Sequence, residues 1–105
     1  MAEALGYLEK AGLPTAHVLP ILATMPVVSP AAIAAANLIE AHDFAPCFPV
    51  NLVAKDFRYV VENGRRVGAE LPMTAVARAL FERLSNVGFG NENVSAVARL
   101  YEGAR

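Results

Sequence analysis

The stretch FAPCFPVNLVAKDFRYVVENGRRV, Phe44 to Val67, decides how the rest of the chain is read. Pro46 and Pro49 make a stiff approach, and an uninterrupted helical pattern follows. At about 100° per residue, Val53, Phe57, Val60, Gly64 and Val67 fall on one face, which predicts the buried side of a long helix. The same wheel puts Asp56 between Leu52 and Val60, at the edge of the apolar stripe, where a carboxylate needs a partner. Lys55 falls on the polar side with Tyr59, Glu62 and Arg66.

Working outward, Ala2 to Ala11 is rich in helix formers, places Leu5 and Leu8 on one side and stops at Gly12. No capping residue precedes it, so it reads as the tail of a longer helix. Thr15 is a candidate cap for a second helix through about Ala23, bent or shortened by Pro20, and Pro26 ends that region. Ser29-Pro30 gives a cap followed by proline at the first helical position, ahead of an Ala-rich run to Ala41. Beyond the central helix, Gly68 is a stop and Leu71-Pro72 a new start. Val76, Leu80, Leu84 and Val87 then recur at helical spacing, flanked by Met73 and Phe81, with Arg78, Glu82 and Arg83 pointing away. Gly88 and Gly90 break the chain, and Asn91 or Asn93 can cap a last helix, Val94 to Tyr101. No stretch alternates with period two. The fold class expected is therefore all-α, a compact bundle of five to six helices forming one domain over residues 1–105.

Composition narrows the function. Hydrophobic residues make up 55% of the chain and charged residues 18%, so part of the apolar surface is expected to lie under a second subunit or another domain. With a net charge of -1 and no basic run longer than Arg65-Arg66, nucleic acid and anionic membranes are excluded as expected partners. Cys47 is the sole cysteine and His17 and His42 lack ligand-spaced companions, so no metal site is expected. Cys47 reads as a buried, inert thiol, and His42 as complementing a helix end. Apolar runs end well short of a membrane span and no signal peptide is evident, which points to the cytoplasm.

The string F-x-x-x-L-x-x-K-D, here Phe48, Leu52, Lys55 and Asp56, resembles the C-terminal helical domain of the β-hydroxyacid dehydrogenases, the 3-hydroxyisobutyrate dehydrogenase and tartronate semialdehyde reductase type. Three more segments follow the same template in order. EALGYLEKAGL (Glu3 to Leu13) resembles the end of the interdomain helix; GAELPMTAVARALFERL (Gly68 to Leu84) and GFGNENVSAVARLYE (Gly88 to Glu102) resemble the last two segments. The fold implied is that of the 6-phosphogluconate dehydrogenase C-terminal domain.

On spacing alone Lys55 reads as a solvated lysine; the resemblance implies that it contacts the nicotinamide end of NAD or NADP. Asp56 is either a structural carboxylate or a group that orients Lys55 or the active site, and the resemblance gives Phe48 a place in the substrate pocket. Asn91, Glu92 and Asn93 stand where relatives usually carry acids. No catalytic residue is assigned: the family's general acid/base lysine belongs to a G-x-x-G-x-G-x-x-x-K segment that this sequence does not contain. Nor is there a strand-turn-helix unit for a dinucleotide, since Gly88-Phe89-Gly90 lacks the preceding strand.

The expected function is that of the substrate-cleft and dimerisation domain of an NAD(P)-dependent β-hydroxyacid dehydrogenase, inert alone. Its partners would be an N-terminal nucleotide-binding domain, a second copy in a homodimer and a small hydroxyacid substrate. The alternatives are a stand-alone helical oligomerisation module and the equivalent domain of an imine reductase.

Overall fold

The computed structural model describes residues 1–102. Five α-helices follow in order: α1 (Ala2–Lys10), α2 (Thr15–Leu22), α3 (Pro30–Glu40), α4 (Val50–Arg66) and α5 (Pro72–Leu84). A widened π-helical turn (Ser85–Phe89) and a 3-10 helix (Val94–Leu100) are the last elements among the described residues. Among the described residues there is no strand, only an isolated bridge between Pro49 and Asn93. The all-helical bundle expected from sequence is the one observed.

Local signals explain most boundaries. The Ser29 hydroxyl accepts the Ala32 N–H at 3.1 Å, and Pro30 occupies the first turn of α3. Gly12 and Gly68 follow α1 and α4 with φ of 85° and 76°, a region that glycine enters without strain. Two caps differ from expectation. Thr15 is already inside α2, after Pro14, and its backbone N–H is taken by Glu9 Oε1 at 2.8 Å. Asn93 does precede the 3-10 helix, but its Oδ1 accepts the N–H of the distant Phe48 and caps no backbone N–H of the helix.

The molecule measures 44 × 32 × 24 Å and holds two apolar cores. Leu5, Val18, Leu19 and Ala36 join α1, α2 and α3. Phe44, Val50, Leu84 and Ala96 join the start of α4, the end of α5 and the 3-10 helix, with Phe81, Phe89, Val97 and Leu100 packed around them. At roughly 25 cal/mol per Å² of apolar surface, burial of such side chains is the main favourable contribution to the fold.

The buried faces of α4 and α5 depart from the predicted ones. In α4, Val50, Val53, Val61 and Gly64 are buried, whereas Val60 is 50% exposed and Val67, beyond the last turn, 71%. Relative to the expected stripe the buried arc is rotated by about 40°, because α5 lies against the Val61 flank; Phe57 meets Phe81 at 5.6 Å between ring centres. Asp56 is thereby moved into solvent and needs no buried partner. In α5 only Leu84 is buried; Val76, Val87 and Met73 are exposed, Met73 at 87%. Helix α5 also stops earlier than the spacing suggested. The widened turn and Gly88 (φ 105°) break the register after Leu84, carrying Phe89 inward and Val87 outward. Arg78 and Glu82, one turn apart, pair at 2.7 Å.

At the opposite end, Tyr101 packs its β-carbon against Gly6, where an added methyl group would collide, and its hydroxyl lies 3.4 Å from Glu3 Oε2. Partial burial and then the Glu3 carboxylate push the phenol above its usual value. A raised value in the fold favours the neutral phenol there, so its contribution is complete below about pH 10 and is lost as pH rises through the folded value. Urea melts should therefore lose stability faster above pH 10 in the wild type than in Tyr101→Phe; equal slopes would refute this.

Candidate functional site

Of the F-x-x-x-L-x-x-K-D string, Leu52, Lys55 and Asp56 lie in the first half of α4 and Phe48 lies just before it. Leu52, Lys55, Asp56 and Tyr59 share its outward face within about 100° of arc, opposite the buried valines. Phe48 precedes the helix by two residues and is 43% exposed; Leu52 is 40% exposed. Lys55 is half-buried and Asp56 exposed, and among the described residues no ion pair links them. The face thus combines an ammonium group, a carboxylate and uncovered apolar side chains.

Its foundation comes from the far end of the chain. Phe48 donates its N–H to Asn93 Oδ1 at 2.9 Å and receives the Val94 N–H on its carbonyl at 2.8 Å. Val50 and Asn51 donate their N–H groups to the carbonyls of Glu92 and Gly90, at 2.8 and 2.9 Å. These are first-turn donors of α4 that no helical partner could satisfy. Gly90 fits because a β-carbon there would run into the Asn51 side chain, which also accepts a hydrogen bond from the Ser85 hydroxyl.

Arg99 braces the same segment. Its guanidinium lies 4.6 Å from the ring centres of both Phe44 and Phe89, and its Nε and Nη2 donate to the two Glu92 oxygens at 2.7 and 3.1 Å. Sequence reading did not single out Arg99. Its signal was faint: a basic residue seven positions after an acidic one, in a helix with 3-10 geometry.

Other candidates lie elsewhere. Cys47 is exposed, contrary to the expected burial, because the Pro46–Pro49 stretch runs along the surface. His42 sits just past α3 with φ 52°, its ring edge-on to Phe44 at 5.6 Å and its Nε2 3.5 Å from Glu102 Oε1. A cavity of about 440 Å³ opens between α1, α3 and the 3-10 helix, lined in part by Gly6, Glu9, His42 and Tyr101, and includes none of Phe48, Lys55 and Asp56. Among the described residues no three His, Cys, Asp or Glu side chains are grouped to hold a metal ion, and no helix is long and apolar enough to cross a membrane.

Comparison with known proteins gives the family and the fold. Residues 1–101 match the protein family described as "NAD-binding of NADP-dependent 3-hydroxyisobutyrate dehydrogenase". A 2-(hydroxymethyl)glutarate dehydrogenase from Eubacterium barkeri is 38% identical over 66 residues, 63% of this chain and 22% of the relative. An L-threonate dehydrogenase from Pectobacterium atrosepticum is 33% identical over 61 residues, 58% of this chain and 20% of its own length. The crystal structure of a 3-hydroxyisobutyrate dehydrogenase from Salmonella typhimurium superposes with a TM-score of 0.90 at 25% identity, covering 94% of this chain and 35% of that one. The chain thus spans about a fifth to a third of the length of the proteins it matches.

Proposed function

The chain belongs to the family of the NAD-binding region of NADP-dependent 3-hydroxyisobutyrate dehydrogenases, and from that premise we propose that it forms the helical cleft wall of a cytoplasmic NAD- or NADP-dependent dehydrogenase acting on a short β-hydroxyacid. In this reading residues 1–105 are one domain, completed by an N-terminal nucleotide-binding domain of the same protein and paired in a homodimer. The observation that carries the proposal is the outward face of α4, where half-buried Lys55 stands beside uncovered Phe48 and Leu52. A lone ammonium on an apolar wall suits one end of a nicotinamide nucleotide: the cation meets an oxygen of the ligand, and the apolar side chains meet its ring and exclude water.

When bound, the nicotinamide supplies the hydride acceptor for the carbinol carbon. The chain's own residues bind and orient. Lys55 donates to the cofactor, Phe48 lines the substrate pocket, and Asp56 is the second polar group at the rim, placed to orient what approaches Lys55. Proton transfer is left to the general acid/base lysine that the resemblance assigns to the G-x-x-G-x-G-x-x-x-K segment, which is not in this sequence. The exposed apolar residues Met73 and Val76 of α5 and Val87 of the widened turn suit the second copy of a homodimer.

The same exposed side chains would also serve a non-catalytic oligomerisation module, and turnover separates the two readings. The chain alone should oxidise no β-hydroxyacid with NAD or NADP. Joined to the nucleotide-binding domain of the Salmonella enzyme in place of that enzyme's own helical domain, it should restore NAD(P)H formation, measured at 340 nm. Turnover by the chain alone, or a folded chimera with none, would overturn the proposal.

A further inference from the structure

Resting on that reading, we infer that Asn93 is a positioning residue of the cleft, fixing the outward pose of Phe48 and through it the fit of the substrate. Asn93 is 3% exposed and uses both ends of its amide: Oδ1 accepts the Phe48 N–H at 2.9 Å and Nδ2 donates to Ser95 Oγ at 2.8 Å. Its backbone N–H donates to the Phe44 carbonyl at 3.0 Å. With the Val94 N–H on the Phe48 carbonyl, both polar groups of the Phe48 peptide backbone are held by residues 45 and 46 positions away. Local sequence does not hold Phe48 in this way, because Pro46 and Pro49 donate no hydrogen bond.

A large side chain left 43% exposed on a backbone fixed at both ends is a pre-formed binding wall; fixing it in advance avoids the ordering cost that a mobile loop would add on binding. The brace continues outward: Glu92, whose carbonyl receives the Val50 N–H, is paired with Arg99 between two phenyl rings. An acceptor at position 93 is the essential part. Asp would keep the bond to Phe48, and the Ser95 hydroxyl could rotate to donate to it; Leu would keep the volume and lose the bond.

Two arms test this. In the 105-residue chain, amide hydrogen exchange at Phe48 should accelerate at least about tenfold in Asn93→Leu and stay close to wild type in Asn93→Asp, because loss of one hydrogen bond corresponds to about that factor. In the chimeric two-domain enzyme, Asn93→Leu should raise KM for the hydroxyacid and lower kcat/KM by about tenfold, the scale of a misplaced contact. Asn93→Asp should recover most of that loss. Leu5→Ala, which weakens the other core, should lower the melting temperature and leave KM unchanged. Unchanged exchange at Phe48, or a wild-type KM in Asn93→Leu, overturns the inference. A chimera that is inactive even with the wild-type sequence refutes the dehydrogenase reading, and the exchange arm then decides whether Asn93 holds Phe48.

Discussion

Replacing Leu84 with alanine is expected to cost about 3–4 kcal/mol of unfolding free energy, within the range for leucine truncation in a packed core. Leu84 is fully buried at the point where α5, the start of α4 and the 3-10 helix meet. Its neighbours are poorly able to collapse into the space. Ala96 has only a methyl group and cannot reach into the space, Val50 is tied through its backbone to Glu92, and Phe44 and Phe89 clasp Arg99. A small domain has only about 5–15 kcal/mol in total, and each kcal/mol lowers the midpoint by roughly 4–8 °C, so a fall of more than about 12 °C should be seen by thermal circular dichroism. Met73→Ala, at an exposed methionine on the same helix, should change the midpoint by little. A loss below about 1 kcal/mol for Leu84→Ala would mean that the second core is not packed as described.

The sequence was most legible where structure is decided within a few residues. Ser29-Pro30, Gly12 and Gly68 mark helix ends by chemistry that acts over one turn, and all three stand where the pattern put them. Faces were less legible, because a helical wheel carries no information about which neighbour arrives. Helix α5 came against the Val61 flank of α4, which left Val60 and Asp56 outside. The α5 stripe of Val76, Leu80, Leu84 and Val87 was read as core, yet the chain itself covers it only at Leu84 and partly at Leu80. The candidate site was half legible. Phe48, Leu52, Lys55 and Asp56 could be quoted as a string, whereas the brace beneath them, Asn93 and Arg99, depends on pairings across as many as 55 positions, as between Phe44 and Arg99, that no local spacing announces.

On the proposed function, the second large effect belongs to Lys55. Its side chain lies on the outward face of α4, and alanine has at least as high a helix propensity as lysine, so Lys55→Ala should leave stability within about 0.5 kcal/mol of wild type. A hydrogen bond from an ammonium group to a ligand oxygen contributes about 1.5–3 kcal/mol, equivalent to a roughly 10- to 100-fold change in dissociation constant. Lys55→Arg should fall between the two, since the charge is kept and its geometry changed. The decisive measurement is the dissociation constant of the nicotinamide cofactor, read by calorimetric titration of the chimeric two-domain protein with and without Lys55→Ala. A rise of at least about tenfold at an unchanged melting temperature is the predicted result; an unchanged dissociation constant in a folded variant would contradict the role given to this face of α4.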